Sequence, residues 1–183
     1  MAHISPEKLT EVCRLLKQGN EDAMRQLFLE TQPKIFNYLL RFTGNREVAE
    51  DLTQESFINF WLSLYRIESD HSCVAYLFTI ARHHALNHIK RTVRTVPIDE
   101  EHQVFLNGKC ANAENSEVYL IDDYQKAIDS LPKRCKETFL LSRFSDLQYS
   151  EIAVIMGVSV QTVKNQMNKA ISLLRIDLKK YSE

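Results

Sequence analysis

The sequence predicts an all-α protein: two small helical domains joined by a flexible acidic linker, the second domain carrying a helix-turn-helix. Three observations lead there. The 183 residues include only four Gly and four Pro, and no two runs alternating at period two flank a hairpin turn. Apolar residues recur instead at three- and four-residue spacing between helix start and stop signals. That periodicity lapses once, from Arg94 to Glu117, where polar and turn-forming residues take over. A structureless stretch of that length is unusual inside one compact domain, so it divides the chain into a domain over 1–93, a linker over 94–117 and a domain over 118–183.

The elements follow in order. A first helix is expected over Pro6–Lys17. Gly19 ends it, and Asn20 caps the next, Glu21–Gln32, because an Asn side chain accepts from the first free N–H groups of a helix. Pro33 falls inside an otherwise periodic stretch; lacking a backbone donor, it is expected to restart or kink the helix, which then runs Pro33–Thr43. Gly44 and Asn45 repeat the same punctuation and open Arg46–Leu64. Further helices are expected over Val74–Arg91, Val118–Ser130, Pro132–Arg143, Ser150–Met156 and Val160–Lys179.

Composition bounds what such a protein does. An apolar content of 44% is enough to bury a core, and 23 Lys+Arg against 24 Asp+Glu leave a net charge of -1, so any electrostatic footprint for a polyanion must be local. Four segments are locally charged. Residues 44–70 hold two basic and six acidic residues, net −4. Residues 74–94 hold four basic residues and no acid, the linker 95–117 is net −4, and the last helix, 160–180, is net +4. Two basic helices, one per domain, suggest two contacts with a polyanion. No apolar run approaches the roughly 20 residues of a spanning helix, and Met1–Val12 has no apolar signal segment. A cytoplasmic protein without membrane insertion is expected. Cys13, Cys73, Cys110 and Cys135 are far apart with no C-x-x-C pair, and are expected as separate reduced thiols.

Within the acidic segment Asp51, Gln54, Glu55 and Ile58 share one helix face, with Phe57, Phe60, Trp61 and Leu64 as an apolar stripe beside it. By itself this is a solvated face over a core stripe. In the basic helix His84 and His88 stand four apart, a zinc-compatible spacing, but no Glu accompanies them as in H-E-x-x-H, and imidazoles among Arg and Lys suit phosphate better. No metal, no cofactor and no catalytic residue is expected, because carboxylates and histidines fall on different helices without a paired pattern; the protein is expected not to be an enzyme.

The segment from Tyr149 to Lys164 is expected to hold a short helix capped by Ser150, a turn at Gly157 and a second cap at Ser159. Ile152, Ala153 and Met156 give the first helix its apolar face, and Val158 and Val163 plug the angle between the helices. The second helix then presents Gln161, Thr162, Lys164, Asn165, Asn168 and Lys169 outward, over an inner face of Val163, Met167, Ala170, Ile171 and Leu174. Amides and lysines on one face suit base edges and phosphates in a major groove.

Leu131-Pro132, Phe139-Leu-Leu, Glu151-Ile-Ala, Gly157-Val-Ser and Thr162-Val-Lys, with Ala170 beyond, resemble region 4 of bacterial sigma-70-type initiation factors. Ala49-Glu-Asp-Leu-Thr-Gln-Glu-Ser-Phe57 with Trp61 resembles region 2.2, and Ala75-Tyr-Leu-Phe-Thr-Ile-Ala-Arg82 with Lys90-Arg91 resembles regions 2.3 and 2.4. Both domains in this order, with a short linker, resemble the extracytoplasmic-function (ECF) group, over nearly the whole chain.

The resemblance implies a sigma factor that directs core RNA polymerase to −35/−10 promoters and helps open them. Asp51, Gln54, Glu55 and Ile58 would then bind core polymerase. Arg66, Tyr76, Arg82, His83, Asn87, Lys90 and Arg91 would act on the −10 DNA, although family members often carry Trp where Tyr76 stands and Asn where His83 stands. Tyr149, Ser150, Gln161, Thr162, Lys164, Asn165, Asn168 and Lys169 would contact the −35 DNA. An anti-sigma factor is implied as a further partner, besides core polymerase and promoter DNA. The alternative from the motif alone is a stand-alone helix-turn-helix transcriptional regulator, usually a dimer on a palindrome.

Overall fold

The computed structural model describes residues 6–64, 72–95, 124–145 and 147–179. Among these the chain is helical throughout, in the order α1 Pro6–Lys17, α2 Glu21–Thr43, α3 Arg46–Leu62 and α4 Cys73–Thr95, then α5 over 124–129, α6 Lys133–Phe144, α7 Tyr149–Met156 and α8 Val160–Lys179. The sequence punctuation reappears as geometry. Asn20 and Asn45 each accept a backbone N–H through the side chain, from Ala23 at 3.0 Å and Val48 at 3.2 Å. Gly44 closes α2 in the left-handed region at φ 69°, a conformation open to Gly at little cost.

Three expectations are corrected. Of the two outcomes expected at Pro33, restart and kink, the restart does not occur: α2 runs through it from Glu21 to Thr43. Its side chain and that of Leu29, four residues earlier, are both exposed, and burial of Leu27, Ile35, Tyr38 and Leu39 holds the helix together despite one missing donor. Ser150 is not the cap of α7; Gln148 is, in a reciprocal capping box with Glu151. Finally, α4 continues to Thr95, past the expected end at Arg91 and into the first residues of the expected linker.

The first four helices pack α1 on α2, α2 on α3 and α4, and α3 on α4. Leu52, Phe57 and Phe60 enter the core from α3, and Leu77, Phe78, Ala81 and Ala85 from α4. Each large apolar side chain so buried contributes roughly 1.5–3 kcal/mol. Trp61 leaves the expected stripe and is 39% exposed, because one residue past Phe60 is a 100° turn away from the core. Cys13 on α1 and Cys73 at the start of α4 are disulfide-bonded, with their Cα atoms 5.7 Å apart. Two cysteines 60 residues apart in sequence carry no sign of such a pairing, and the expectation of separate thiols is corrected for them. Cys135 is a free, buried thiol.

The later helices pack α6 on α7 and α8, and α7 on α8. The two groups also meet, α2 against α6 and α4 against α7, and buried apolar residues of both belong to one core cluster. Polar groups cross this junction. Arg41 Nη1 donates to Gln125 Oε1 at 2.5 Å and its guanidinium lies 6.0 Å from the Phe144 ring centroid. Arg82 of α4 pairs with Glu137 of α6 at 2.9 Å, both side chains almost fully buried.

Candidate polymerase and nucleic-acid interfaces

Helix α3 separates its two faces sharply. Thr53 and Ser56 turn their hydroxyls onto the carbonyls of Ala49 and Leu52, so these polar residues sit in the buried face without an unmet group. Asp51, Gln54, Glu55 and Ile58 are all exposed on the opposite side, Ile58 to 59%. An exposed isoleucine among two carboxylates and an amide is a surface suited to a cationic, partly apolar partner. Leu62 continues it at 66% exposure.

Between α3 and α4 lies a groove of about 560 Å³ whose walls include Asp51, Glu55 and Ile58 on one side and His84, His88 and Arg91 on the other. His84 bridges the walls: its Nδ1 is 3.3 Å from Glu55 Oε2 and its Nε2 is 2.8 Å from Asn59 Nδ2. His84 therefore contacts the acidic side of the groove, where the sequence alone makes phosphate the better match for an imidazole than zinc. Among the described residues no group of three or more His, Cys, Asp or Glu side chains is arranged to hold a metal ion.

On α4 the expected −10 residues fall into three sets. His83, Asn87, Lys90 and Arg91 are exposed, and their spacing puts them along one face. Tyr76 is half-buried, its ring centroid 6.2 Å from that of Phe60; Leu77 and Phe78 beside it are wholly core. Arg82 is different. Its Nε and Nη2 both donate to Glu137 Oε2, at 3.2 and 2.9 Å, so in this arrangement it faces a carboxylate and not solvent. Arg66 lies outside the described residues. Ser72 starts α4 by accepting the Ala75 N–H at 3.3 Å, a cap that fixes where the row of exposed side chains begins.

Apart from the cap of α7, which is Gln148 and not Ser150, the helix-turn-helix has its turn and its second cap where the sequence puts them. Gly157 takes φ 64°, and its N–H reaches the carbonyls of Ala153 and Val154, closing α7. Ser159 accepts from the Thr162 N–H at 3.1 Å and starts α8. Val163, Ala170 and Leu174 are buried, while Gln161, Lys164, Asn165, Asn168 and Lys169 are exposed and Thr162 half-exposed. Gln161 Nε2 donates to Asn165 Oδ1 at 3.0 Å, holding two amides in one row. Tyr149 is half-buried and Ser150 exposed at the start of α7. A helix of this length presents its outer face to a major groove about 12 Å wide without backbone rearrangement.

Two residues that the sequence did not single out complete the picture. Glu137 stands in the middle of α6 with 2% of its side chain exposed. Tyr38 is fully buried, its hydroxyl has no hydrogen-bond partner, and burial first, then the charge of Glu137, pushes its phenol above the usual tyrosine range. No local pattern signals either: a glutamate in a helix reads as solvated until its tertiary partner is known.

Residues 27–95 match the family model described as Sigma-70 region 2, and residues 121–174 match that described as Sigma-70, region 4. The chain is 27% identical over 177 residues to the RNA polymerase sigma-H factor of Pseudomonas aeruginosa, covering 91% of this chain and 92% of the relative. It is also 27% identical over 178 residues to the ECF RNA polymerase sigma-E factor of Salmonella typhimurium, covering 90% and 92%. Its fold resembles the sigma factor RpoE of Bartonella quintana, solved in complex with the anti-sigma factor NepR, with a TM-score of 0.67 and 22% identity over 85% of this chain and 96% of that one.

Proposed function

Since the chain belongs to the sigma-70 family, in its ECF group, we propose that it directs core RNA polymerase to −35/−10 promoters and assists their opening. One observation supports this most: the exposed acidic face of α3 and the exposed amide-and-lysine face of α8 occur in one chain, each carried by a separate group of helices. A free-standing helix-turn-helix regulator has no use for the first group, which the region 2 match spans.

In this reading Asp51, Gln54, Glu55 and Ile58 dock on core polymerase, with His84 holding Glu55 in place. His83, Asn87, Lys90 and Arg91 track the −10 strand, and Tyr76 offers an aromatic surface for an unstacked base. Holding a base out of the duplex costs a few kcal/mol, which stacking of about 1–3 kcal/mol per base offsets. Helix α8 enters the major groove at −35, where Lys164 and Lys169 meet phosphates and Gln161, Asn165 and Asn168 meet base edges. Tyr149 and Ser150 approach the backbone at the α7 N-terminus. The acidic linker follows the polymerase cleft, its charge standing in for nucleic acid. The chain carries no catalytic step; polymerase supplies the chemistry, and both act in the cytoplasm. An anti-sigma protein covers the two helical groups to hold the factor inactive, as the partner of the resembling structure suggests.

Transcription from promoter-bearing templates by core polymerase, with and without the purified chain, tests the reading. Promoter-specific starts that depend on the chain are expected. Tight duplex binding by the chain alone, with no change in polymerase start sites, would reject it in favour of a stand-alone regulator.

A further inference from the structure

Arg82 is a cation on the helix assigned to −10 DNA, yet the structure gives it wholly to another partner. Two of its N–H groups converge on one oxygen of Glu137, 55 residues away on α6. The exposures of 10% and 2% mean that both charges have left water. Elsewhere on α4 Lys90 and Arg91 remain exposed. A guanidinium donates to carboxylate and phosphate oxygens alike, and here two of its N–H groups share one Glu137 oxygen, a role that an oxygen of a phosphate can also fill.

The surroundings of the pair are mixed, polar groups set beside apolar side chains of both helix groups. The unpartnered Tyr38 hydroxyl feels the charges of both members of the pair, and a second contact, Arg41 with Gln125 and Phe144, is again an arginine of the first group held by the second. Within a junction that also buries apolar residues of both groups in one core cluster, a buried ion pair, an unmet hydroxyl and a side-chain amide gain less than apolar contacts of equal area. Two modules that must reach separated DNA elements need such a junction.

We propose that Glu137 is an internal phosphate mimic: in the free chain it holds Arg82 and keeps it off DNA, and in the polymerase–promoter complex Arg82 exchanges it for a backbone phosphate. This rests on the sigma-factor reading and adds a residue to it. A site open only in a fraction of molecules binds more weakly by that fraction, so Glu137 lowers the affinity of the free chain for nucleic acid without touching it.

The test measures binding of the free, full-length chain to a labelled single-stranded DNA oligonucleotide over a range of salt. Glu137→Gln is expected to tighten binding about tenfold and to steepen the salt dependence by about 0.7, the value of one single-strand phosphate contact. Arg82→Gln added to Glu137→Gln is expected to abolish the gain. An unchanged affinity and slope for Glu137→Gln, or a double variant that keeps the gain, overturns the proposal. Should Glu137→Gln fail to fold by circular dichroism, the charge-swapped chain, Arg82→Glu with Glu137→Arg, decides. It keeps the pair, so it is expected to fold and, with core polymerase, to lose promoter opening; opening at the wild-type level overturns the exchange. If the wild-type chain gives no promoter-specific start with core polymerase, the sigma reading itself fails; if it does and Glu137→Gln changes nothing, only the exchange fails.

Discussion

Tyr38 shows at a single residue what burial of a polar atom costs. Its hydroxyl is buried without a partner, which forfeits hydrogen bonds that it makes to water in the unfolded chain. Tyr38→Phe is therefore expected to stabilise the protein by about 1 kcal/mol, read as a higher urea midpoint at unchanged slope. The phenol is also held above its ordinary value, about 10, by burial and then by Glu137. A raised value means that the folded state keeps its proton when the unfolded state has lost it. This contribution to stability is therefore intact below about pH 10 and is lost as pH rises beyond it. The wild type should lose stability more steeply than Tyr38→Phe above that pH. A variant that is less stable at neutral pH, with the same alkaline slope, would show that the hydroxyl is satisfied after all.

At the scale of helices, punctuation was legible and tertiary override was not. Asn20, Asn45, Ser159 and Gly157 act where local rules put them, because a cap depends only on its neighbours in sequence. Pro33 does not break α2, since packing of the buried face outweighs one missing donor; the cap of α7 is a local contact too, but Gln148 with Glu151 competes for it with the neighbouring Ser150. The outer faces of α3 and α8 also follow from periodicity alone. What they touch does not, and mutation separates their roles. Gln54→Ala with Glu55→Ala is expected to weaken binding to core polymerase by about tenfold or more, each 1.4 kcal/mol being a factor of ten, and to leave duplex binding alone. Titration against labelled core enzyme measures it, and unchanged affinity would remove these residues from the docking face. Lys164→Ala is expected to weaken duplex binding roughly equally across sequences and to reduce the salt slope by about 0.9. A loss confined to one promoter sequence would make Lys164 a base reader instead.

Taken whole, the chain presents an acidic face on one helical group and basic faces on both, while holding the groups together through Arg82–Glu137 and Arg41–Gln125. The polar stretch over 94–117 reads as a linker between two domains, and it lies almost wholly outside the described residues. The packing of the first helices on the later ones was not legible, because a buried arginine and a buried glutamate each look like surface residues in one dimension. From sequence Arg82 reads as a DNA contact, and Glu137 carries no signal. The central claim is that α4 and α8 engage separated elements of one promoter when polymerase is bound. Photocrosslinking from Asn87 and Asn165 to the same labelled promoter, with and without core polymerase, tests it most directly. With polymerase, Asn87 should mark the −10 strand and Asn165 the −35 duplex on the same molecules. Crosslinking of Asn165 alone, at equal yield without polymerase, would contradict it.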